Sequence, residues 1–475
     1  MKLIKLISFA AFVFLNANCI ERAEAKTVLF HEQDADLTLQ EIAESVLSQT
    51  LDNQIKTENK IYLKGEWPTE IKSTLIPSLV GVGRLIGSDQ EATAFTTGAV
   101  INTISQIYLD HPEFQKTTLF TKIPDAVSMG ISTFTRYQSD NSFNFYPPHD
   151  QDGVTVRRPI DMTLFPLWYG FTNIPNDADS TSVNYAAVLM NAILHNETLN
   201  IPDQTFKKFE TFRDIKRNPM YYNRSENRKK TGAFMTWLYD EKNENMPRFF
   251  FASSKLGERI PFNKNDVDCV VNANIFKLKA LAKKAELEGY AESCEMINDM
   301  IQKNEMATCG IYYPNTMNLA FSMATAEKAG DRCLIEDSKN KLIEIILKSQ
   351  DTDGSWLNKD NFRSDRILTT AYAMYALLHF ADAKDPVVNK ALNHGLQYLL
   401  SVMKIKNGRV SWDKNNFFTA TAIARSLVMW RSKAYTYSIL SSVIFSMNQI
   451  KSEATAKDIL RDYVYPVKKD DNVLQ

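Results

Sequence analysis

The sequence has no long apolar run beyond its first 25 residues, almost no net charge and few cysteines. Among its 475 residues, 55 are Lys or Arg, 56 are Asp or Glu, and 5 are Cys. Because the charges balance, we predict no broad basic surface for nucleic acid or an anionic membrane. A membrane helix needs about 20 consecutive apolar residues, so we predict no transmembrane segment. With 44% apolar residues, the chain is predicted to be globular.

The sequence also lacks the common signatures of enzymes and metal sites. It has no GxSxG motif, no Walker loop and no GxGxxG motif in a strand–helix setting. Its six histidines are scattered and do not have the spacing of metal ligands. We therefore predict no metal and no cofactor.

The first 25 residues have the pattern of a signal peptide. A basic start, Met1–Lys5, precedes a short apolar run, Leu6–Leu15, and Ala23-Glu24-Ala25 resembles a cleavage site. This pattern predicts export to the periplasm or the extracellular space. Lipidation at Cys19 is an alternative, although Asn18 stands where a small residue is expected.

Four cysteines would remain after cleavage: Cys269, Cys294, Cys309 and Cys333. An even number of clustered cysteines in an exported protein indicates one or two disulfides. Three full pairings are possible, and the sequence does not choose among them. Buried free thiols are the alternative.

A helix rich in small and hydroxyl residues recurs along the chain. Each copy follows a turn with Asp, Asn, Gly or Pro and precedes a longer amphipathic helix. The last four copies are about 50 residues apart, and the first two intervals are nearly twice as long. The copies begin near Thr93, Ser182, Cys269, Thr316, Thr369 and Thr419.

Small residues let helix backbones approach closely, and six helical hairpins closed into a ring leave no exposed terminal repeat. We therefore predict an all-α fold, an α/α6 toroid of six helical hairpins. The toroid is expected at 91–450. A signal peptide at 1–25 and a helical lead-in at 26–90 would precede it, and 451–475 would form a tail.

The stretch Ser349–Trp356 reads SQDTDGSW, with Gln350 at a helix end, Gly354 in a tight turn and Trp356 after it. It resembles the QW motif of the terpenoid cyclase and protein prenyltransferase superfamily. The resemblance implies an α/α toroid, in which the glutamine ties helix ends together and the tryptophan packs under the next turn. A second copy has the motif residues Gln397, Gly408 and Trp412.

Asp177-Ala178-Asp179-Ser180 lies at the start of the second small-residue helix. It is similar to the DxDD motif of class II terpene cyclases, although Ser180 replaces the last Asp. The resemblance implies that Asp179 is the acid that protonates an alkene or epoxide and that Asp177 supports it. Helix capping is the alternative, because a second pair, Asp266 and Asp268, opens the third helix.

The resemblance to protein prenyltransferases would imply a zinc site of Asp, Cys and His on the small-residue helices. Cys269 has Asp268 beside it, but no histidine stands at a matching position, since His379 lies inside a helix. This departure from the family pattern supports the prediction that the chain holds no zinc.

Two hypotheses for function come from different classes. In the first, the central cavity of the toroid binds an isoprenoid or other lipid-like small molecule, as an enzyme similar to terpene cyclases or as a binding protein. Asp177 and Asp179 would then lie at the mouth of the cavity. The residues predicted to contact this ligand are Asp266, Asp268, Trp168, Tyr169, Tyr372 and Asn272.

In the second hypothesis, the chain is a carbohydrate-active enzyme or a non-catalytic recognition protein that binds a glycan. Carboxylates, arginines and aromatic residues are concentrated in the first long insert, and a glycan cleft uses such side chains. The predicted residues are Arg136, Tyr137, Asp140, His149–Gly153, Arg157, Arg158, Trp168 and Tyr169. An ordinary polar loop anchored by its aromatic residues would have the same composition.

Overall fold

The computed structural model describes the chain from Asp36 onward. The predicted signal peptide and Cys19 lie outside the described residues. Within the described part of the chain, no helix is long and apolar enough to cross a membrane. The described residues are 36–74, 86–151, 153–160, 173–215, 230–240, 257–261, 265–306, 309–357, 365–406, 409–420, 428–452, 454–461 and 463.

Most of the secondary structure is helical. The helices are α1 (Leu39–Asp52), α2 (Ala94–Asp110), α3 (Ile123–Ile131), α4 (Ala178–Leu194), α5 (Asp203–Thr211), α6 (Cys269–Leu281), α7 (Tyr290–Gln302), α8 (Asn318–Lys328), α9 (Glu336–Lys348), α10 (Arg366–Phe380), α11 (Pro386–Ser401), α12 (Lys433–Ile450) and α13 (Ala456–Leu460).

Six of these helices, α2, α4, α6, α8, α10 and α12, contact one another in this order, and α12 contacts α2. We call them the inner helices. Their sequences are rich in small residues because the backbones lie close together. At the contact of α2 with α4, a Cβ atom added to Gly98 would overlap the Asn184 side chain. An alanine at position 98 would therefore have to displace the Asn184 side chain.

The helices between them in sequence pack outside and are amphipathic. α1 packs on α12, α3 packs on α2 and α4, and α7 contacts α6 and α9. α9 contacts α10, and α11 also packs on α10. On α9 the buried residues Ser338, Leu342 and Ile346 form one stripe, and the charged residues lie on the other faces. One-sided burial of this kind is expected of an outer layer.

The expectation of a purely helical chain is wrong in one respect, because the described residues include strands. Four of the strands form an antiparallel sheet in the order β2-β1-β10-β9, and the others form three hairpins. The strands are β1 (Thr69–Thr74), β2 (Ile86–Glu91), β3 (Gln138–Ser139), β4 (Ser142–Phe143), β5 (Pro148–Gln151), β6 (Val154–Arg157), β7 (Lys404–Lys406), β8 (Arg409–Ser411), β9 (Asn416–Thr419) and β10 (Val428–Arg431).

The start of the sixth inner helix was also predicted wrongly. It begins at Lys433, whereas Thr419 ends β9 and donates its backbone N–H to the carbonyl oxygen of Tyr312, at 2.8 Å. The physical reason is that the residues of β9 and β10 include several aromatic side chains that favour strands. The other five predicted helices are present, with starts within a few residues of the predicted ones.

The QW-like motif has the geometry that the resemblance implies. Gln350 donates from Nε2 to the carbonyl oxygens of Gly354 and Ala391, at 2.9 Å each. The Trp356 ring is fully buried, and its Nε1 donates to the carbonyl oxygen of Ile346 at 2.7 Å. The motif therefore joins the end of α9, the turn and α11 by side-chain hydrogen bonds to backbone carbonyls.

The second copy is partly described, since Gly408 lies outside the described residues. Gln397 donates to the carbonyl oxygen of Ile459 at 2.9 Å. Trp412 is buried and donates from Nε1 to the carbonyl oxygen of Leu399 at 2.8 Å. This tryptophan occupies the same place after α11 that Trp356 occupies after α9.

A third copy follows α1, and the sequence analysis missed it. Gln54 donates to the carbonyl oxygens of Gly65 and Ala126, at 3.0 and 2.7 Å. The Trp67 ring is fully buried and donates to the carbonyl oxygen of Thr50 at 2.8 Å. The available signal was a Gly-x-Trp at Gly65–Trp67, matching Gly354–Trp356, but a longer loop separates it from its glutamine.

The structure selects one of the three cysteine pairings that the sequence left open. Cys269 lies beside Cys309 and Cys294 beside Cys333, with Cα–Cα distances of 5.5 and 5.2 Å. Both distances are in the range of disulfides. The first pair links the start of α6 to the turn before α8, so it lies close to the inner helices.

Replacing Gly354 by alanine tests the QW geometry. Gly354 has φ +84°, and an added Cβ would overlap the backbone carbonyl of His394. We expect Gly354→Ala to lower the free energy of unfolding by several kcal/mol, because the strain of a positive φ adds to a backbone clash.

The matched control is Gly330→Ala, where φ is +108° but no atom lies within 4 Å of the added Cβ. Gly330→Ala should lower the free energy of unfolding by only about 1 kcal/mol, because it adds conformational strain without a clash. Chemical denaturation of both variants measures the difference. Equal losses in the two variants would show that the close approach of Gly354 to α11 is not important.

Candidate functional site

A cavity lies between the inner helices. Including the part that opens to solvent, its volume is about 690 Å³, of which about 60 Å³ admits the centre of a water molecule. Because one water needs about 10–15 Å³ of such space, the enclosed part is narrow. The lining residues are Phe95, Ala99, Asn102, Thr103, Gln106, Val183, Ala186, Asn274, Lys277, Tyr313, Asn318, Phe321, Ser322, Thr325, Tyr375, Tyr435, Ile439 and Ser442.

Five aromatic residues face this cavity: Phe95, Tyr313, Phe321, Tyr375 and Tyr435. They come from α2, α8, α10, α12 and the turn before α8, so the rings surround the space from different sides. Several are held by other rings; Phe95 stacks on Phe417 with centroids 5.7 Å apart. Rings fixed in this way present apolar faces that attract hydrocarbon and carbocations.

The start of α4 places Asp179 beside the cavity. Asp177 is the N-cap residue of α4, and its Oδ1 accepts the backbone N–H of Ser180 at 2.6 Å. Asp179 is therefore in the first helical turn. Val183 and Ala186 follow it by four and seven residues, on the same face of a helix, and both line the cavity.

The two hypotheses for the DxD pair therefore apply to different residues. Asp177 caps α4, and Asp268 is the equivalent cap of α6, where its Oδ1 accepts the N–H of Val270 at 2.8 Å. Asp179 corresponds in position to Val270, so the second Asp pair holds no counterpart of Asp179. Capping does not explain why Asp179 is an aspartate.

The Asp179 carboxyl group is buried, with 4% of its surface exposed. Asn274 donates from Nδ2 to Asp179 Oδ1 at 2.7 Å, and the Tyr313 hydroxyl donates to Asp179 Oδ2. Both donors line the cavity, whereas Asp179 itself lies behind them. The carboxyl group is thus one hydrogen bond away from the cavity.

The pKa of Asp179 is raised to about 8, mainly by burial and also by the neighbouring Asp177, although the hydrogen bonds from Tyr313 and Asn274 lower it. Burial likewise raises the pKa of Asp177 to about 7. Asp177 Oδ2 has no hydrogen-bond partner among the described residues. Asp179 is therefore protonated at neutral pH, and its conjugate base has two donors in place.

Asp266 and Asp268, which were predicted to bind ligand, both have hydrogen-bond partners within the protein. The two oxygens of Asp266 accept from the hydroxyls of Thr236 and Tyr312, at 2.5 and 2.8 Å. Asp268 Oδ2 accepts the backbone N–H of Ile311 at 2.6 Å. These bonds hold the loops at the start of α6, and neither Asp lines the cavity.

Asn272 and Tyr372 are also turned toward the protein. Asn272 donates to the carbonyl oxygen of Phe234 at 3.0 Å, and the Tyr372 hydroxyl lies 2.7 Å from that of Tyr435. Tyr372 thus supports a residue of the lining without belonging to it. The predicted contacts Trp168 and Tyr169 lie outside the described residues.

Sequence reasoning missed Tyr313 and Lys277 as cavity residues. Tyr313 stands in a turn that was recognised only as a repeat marker. For Lys277 the available signal was helical periodicity. Positions 274 and 277 of α6 follow Val270 by four and seven residues, so Asn274 and Lys277 lie on the same face of the helix.

The residues proposed for a glycan cleft mostly bind one another or the rest of the protein. The Tyr137 hydroxyl donates to Glu66 Oε1 at 2.6 Å, and Arg136 Nη1 lies 3.4 Å from the same oxygen. Arg157 donates to Asn176 Oδ1 at 2.6 Å, next to the cap of α4. Since Asp152, Trp168 and Tyr169 lie outside the described residues, glycan binding stays a prediction.

No group of three or more His, Cys, Asp or Glu residues in the described part of the chain is arranged to hold a metal ion. Cys269 and Asp268, the two residues with some likeness to a zinc site, are engaged with Cys309 and with backbone N–H groups.

The raised pKa of Asp179 predicts how stability depends on pH. An unfolded Asp titrates near pH 4, so between about pH 4 and 8 the folded state holds a proton that the unfolded state has lost. Stability therefore falls as pH rises through this range. Asp179→Asn removes this pH dependence. The melting temperature of the variant, relative to that of wild type, should therefore be higher at pH 8 than at pH 5.

Asp203→Asn is the control, because Asp203 is fully exposed and pairs with Lys284 at 2.8 Å, which lowers its pKa. Its difference from wild type should not grow with pH. A constant difference between Asp179→Asn and wild type across this range would contradict a protonated Asp179.

Comparison with known proteins identifies the fold. No family model and no curated protein matches the chain. The type II terpene cyclase MstE from Scytonema is similar in structure, with 12% sequence identity, a TM-score of 0.50, and coverage of 86% of this chain and 98% of that chain.

A protein from Actinoplanes is similar to the same degree, with 10% identity, a TM-score of 0.50, and coverage of 85% and 99%. A variant of MstE in complex with geranylgeranyl dihydroxybenzoate, its substrate, has 12% identity, a TM-score of 0.48, and coverage of 85% and 98%. At these identities the likeness concerns the fold alone. The chain has a terpenoid cyclase-like fold.

Proposed function

We propose that this protein is a terpene cyclase-like enzyme that binds an isoprenoid or similar unsaturated chain in the central cavity and protonates it from Asp179. The observation that carries the proposal is the environment of Asp179. Its carboxyl is buried, protonated at neutral pH and bonded to two residues that line an aromatic cavity.

We also propose that the helices form a toroid of six helical hairpins. Support comes from the closed series of contacts among the inner helices and from the outer helices between them in sequence. Such a ring encloses a space that is separated from water on all sides but its ends. Protonating an alkene requires this exclusion of water, because water would capture the carbocation.

The reaction would proceed in three steps. The proton of Asp179 passes to a carbon of a C=C bond, either directly after a small movement or through the Tyr313 hydroxyl. The resulting carbocation is attacked by a second C=C bond, which forms a C–C bond and a ring. Loss of a proton from the last cation gives a cyclic isomer of the substrate, and Asp179 regains a proton from solvent.

The side chains around the cavity suit each step. Tyr313 and Asn274 stabilise the Asp179 carboxylate that the first step leaves, because both donate to it. The rings of Phe95, Phe321 and Tyr435 present π faces to the positive charge of the intermediates. Asp177 orients the first turn of α4 as its cap.

The experiment uses geranylgeraniol as a probe in D₂O, with products analysed by gas chromatography and mass spectrometry. Wild type should form a cyclic isomer that carries one deuterium from the first step. Asp179→Asn should lower the rate by at least about 100-fold, the usual share of a general acid. Asp203→Asn, an exposed control, should react like wild type.

Equal rates in wild type and Asp179→Asn would refute Asp179 as the acid. Binding of geranylgeraniol without any cyclic product would refute catalysis and leave a binding protein. Tyr313→Phe separates the roles further, since removal of one donor should slow the reaction less than Asp179→Asn does.

A further inference from the structure

Lys277 is a charged residue of the cavity lining that has no role in the proposed reaction. It lies on α6, one turn after Asn274, and it lines the cavity. Among the lining residues that the structure describes, it is the only one with a charged side chain. It forms no hydrogen bond or ion pair with any described residue. A cation in a cavity without a counter-ion is costly unless a ligand supplies the opposite charge.

We propose that Lys277 is the binding site for a carboxylate group, so that the ligand of this cavity is an apolar chain with a single negative charge. The inference rests on the proposed function, because it names the substrate class of the same cavity. It does not depend on whether the ligand is cyclised.

Three other polar side chains of the lining have partners within the protein. Gln106 donates to Asp110 Oδ1 at 2.9 Å, and the hydroxyls of Thr103 and Thr325 donate to carbonyl oxygens of their own helices, at 2.9 Å each. The second lysine nearby, Lys328, is paired with Asp110 at 2.5 Å. The N–H donors of Lys277 are thus available for a ligand.

Lys277 is less deeply buried than Asp179, the proposed acid. Asp179, Tyr313 and Tyr435 are buried, whereas Lys277 is half-buried. Gln106 and Thr325, which also line the cavity, are half-buried too. A charged head group entering here would keep part of its hydration while its chain passes into the aromatic interior. Burial and Lys328 also lower the pKa of Lys277 to about 8, so the amine is still mostly protonated at neutral pH.

The single charge determines the class of anion. One ammonium neutralises one carboxylate, whereas a diphosphate would bring additional negative charge into a cavity with no second cationic side chain among its described lining residues. The uncompensated charge would have to be desolvated, which is unfavourable. Lys277 therefore favours an isoprenoid or other unsaturated carboxylic acid over a prenyl diphosphate and over the neutral alcohol.

The test compares three probes with the same chain: geranylgeranoic acid, geranylgeraniol and geranylgeranyl diphosphate. Their Kd values are measured by isothermal titration calorimetry at pH 7 with wild type, Lys277→Met and Lys279→Met. Methionine keeps the length and apolar character of the lysine stem. Lys279 is a matched control on the same helix, where it lies over the Tyr290 ring at 4.3 Å, outside the lining.

For wild type, we expect the acid to bind at least tenfold more tightly than the alcohol and than the diphosphate. Lys277→Met should lose this preference and bind the alcohol unchanged, and Lys279→Met should behave like wild type. Thermal unfolding confirms that both variants fold. Equal affinity of wild type for acid and alcohol, tighter binding of the diphosphate, or an unchanged acid affinity in Lys277→Met would overturn the proposal.

Asp179→Asn distinguishes this proposal from the proposed function. The variant should bind geranylgeranoic acid like wild type even though it does not cyclise. If wild type forms no cyclic product but still prefers the acid through Lys277, the cyclase proposal fails and the carboxylate site stands. If Asp179→Asn abolishes turnover but Lys277→Met leaves the affinity for the acid unchanged, the carboxylate site fails and the cyclase proposal stands.

Discussion

The close packing of the inner helices is the constraint on which the rest of the structure depends. A cavity bounded by six helices stays this narrow only if adjacent helices pack closely, as α2 and α4 do where the Asn184 side chain lies against Gly98. The same closeness leaves little room for water. Any polar group that faces inward must therefore find a partner or remain neutral, and this explains why the carboxyl of Asp179 keeps its proton.

The outer layer holds this arrangement through the QW-like turns. In each copy, a buried tryptophan donates to a carbonyl oxygen at the end of an outer helix, as Trp67, Trp356 and Trp412 do. The turns thus fix the position at which the chain passes from an outer helix to the next inner one. The cysteine pair Cys269–Cys309 acts at a similar point, before α6 and α8.

The site contains two ionisable groups, Asp179 and Lys277, that differ in burial and in hydrogen bonding. Asp179 is buried as a neutral acid, and its conjugate base is stabilised by Tyr313 and Asn274. Lys277 is half-buried and has no such partner among the described residues. The first arrangement is complete in the free protein and suits proton donation. We propose that a ligand completes the second, and that this ligand is an amphiphilic molecule with a carboxylate head and an unsaturated chain.

Local patterns in the sequence determined the helices, the turn at Gly354 and the two Asp pairs at helix starts, because capping, periodicity and turn chemistry act over a few residues. They did not reveal that Asp177 rather than Asp179 is the cap, nor that β9 and β10 precede α12. Only the tertiary structure brought Asn274 and Tyr313 to Asp179, across 95 and 134 positions of the chain. It also selected the cysteine pairing and, among the described residues, placed no ion-pair partner beside Lys277. Such contacts depend on which helices become neighbours in the folded chain, and no short stretch of sequence contains that information.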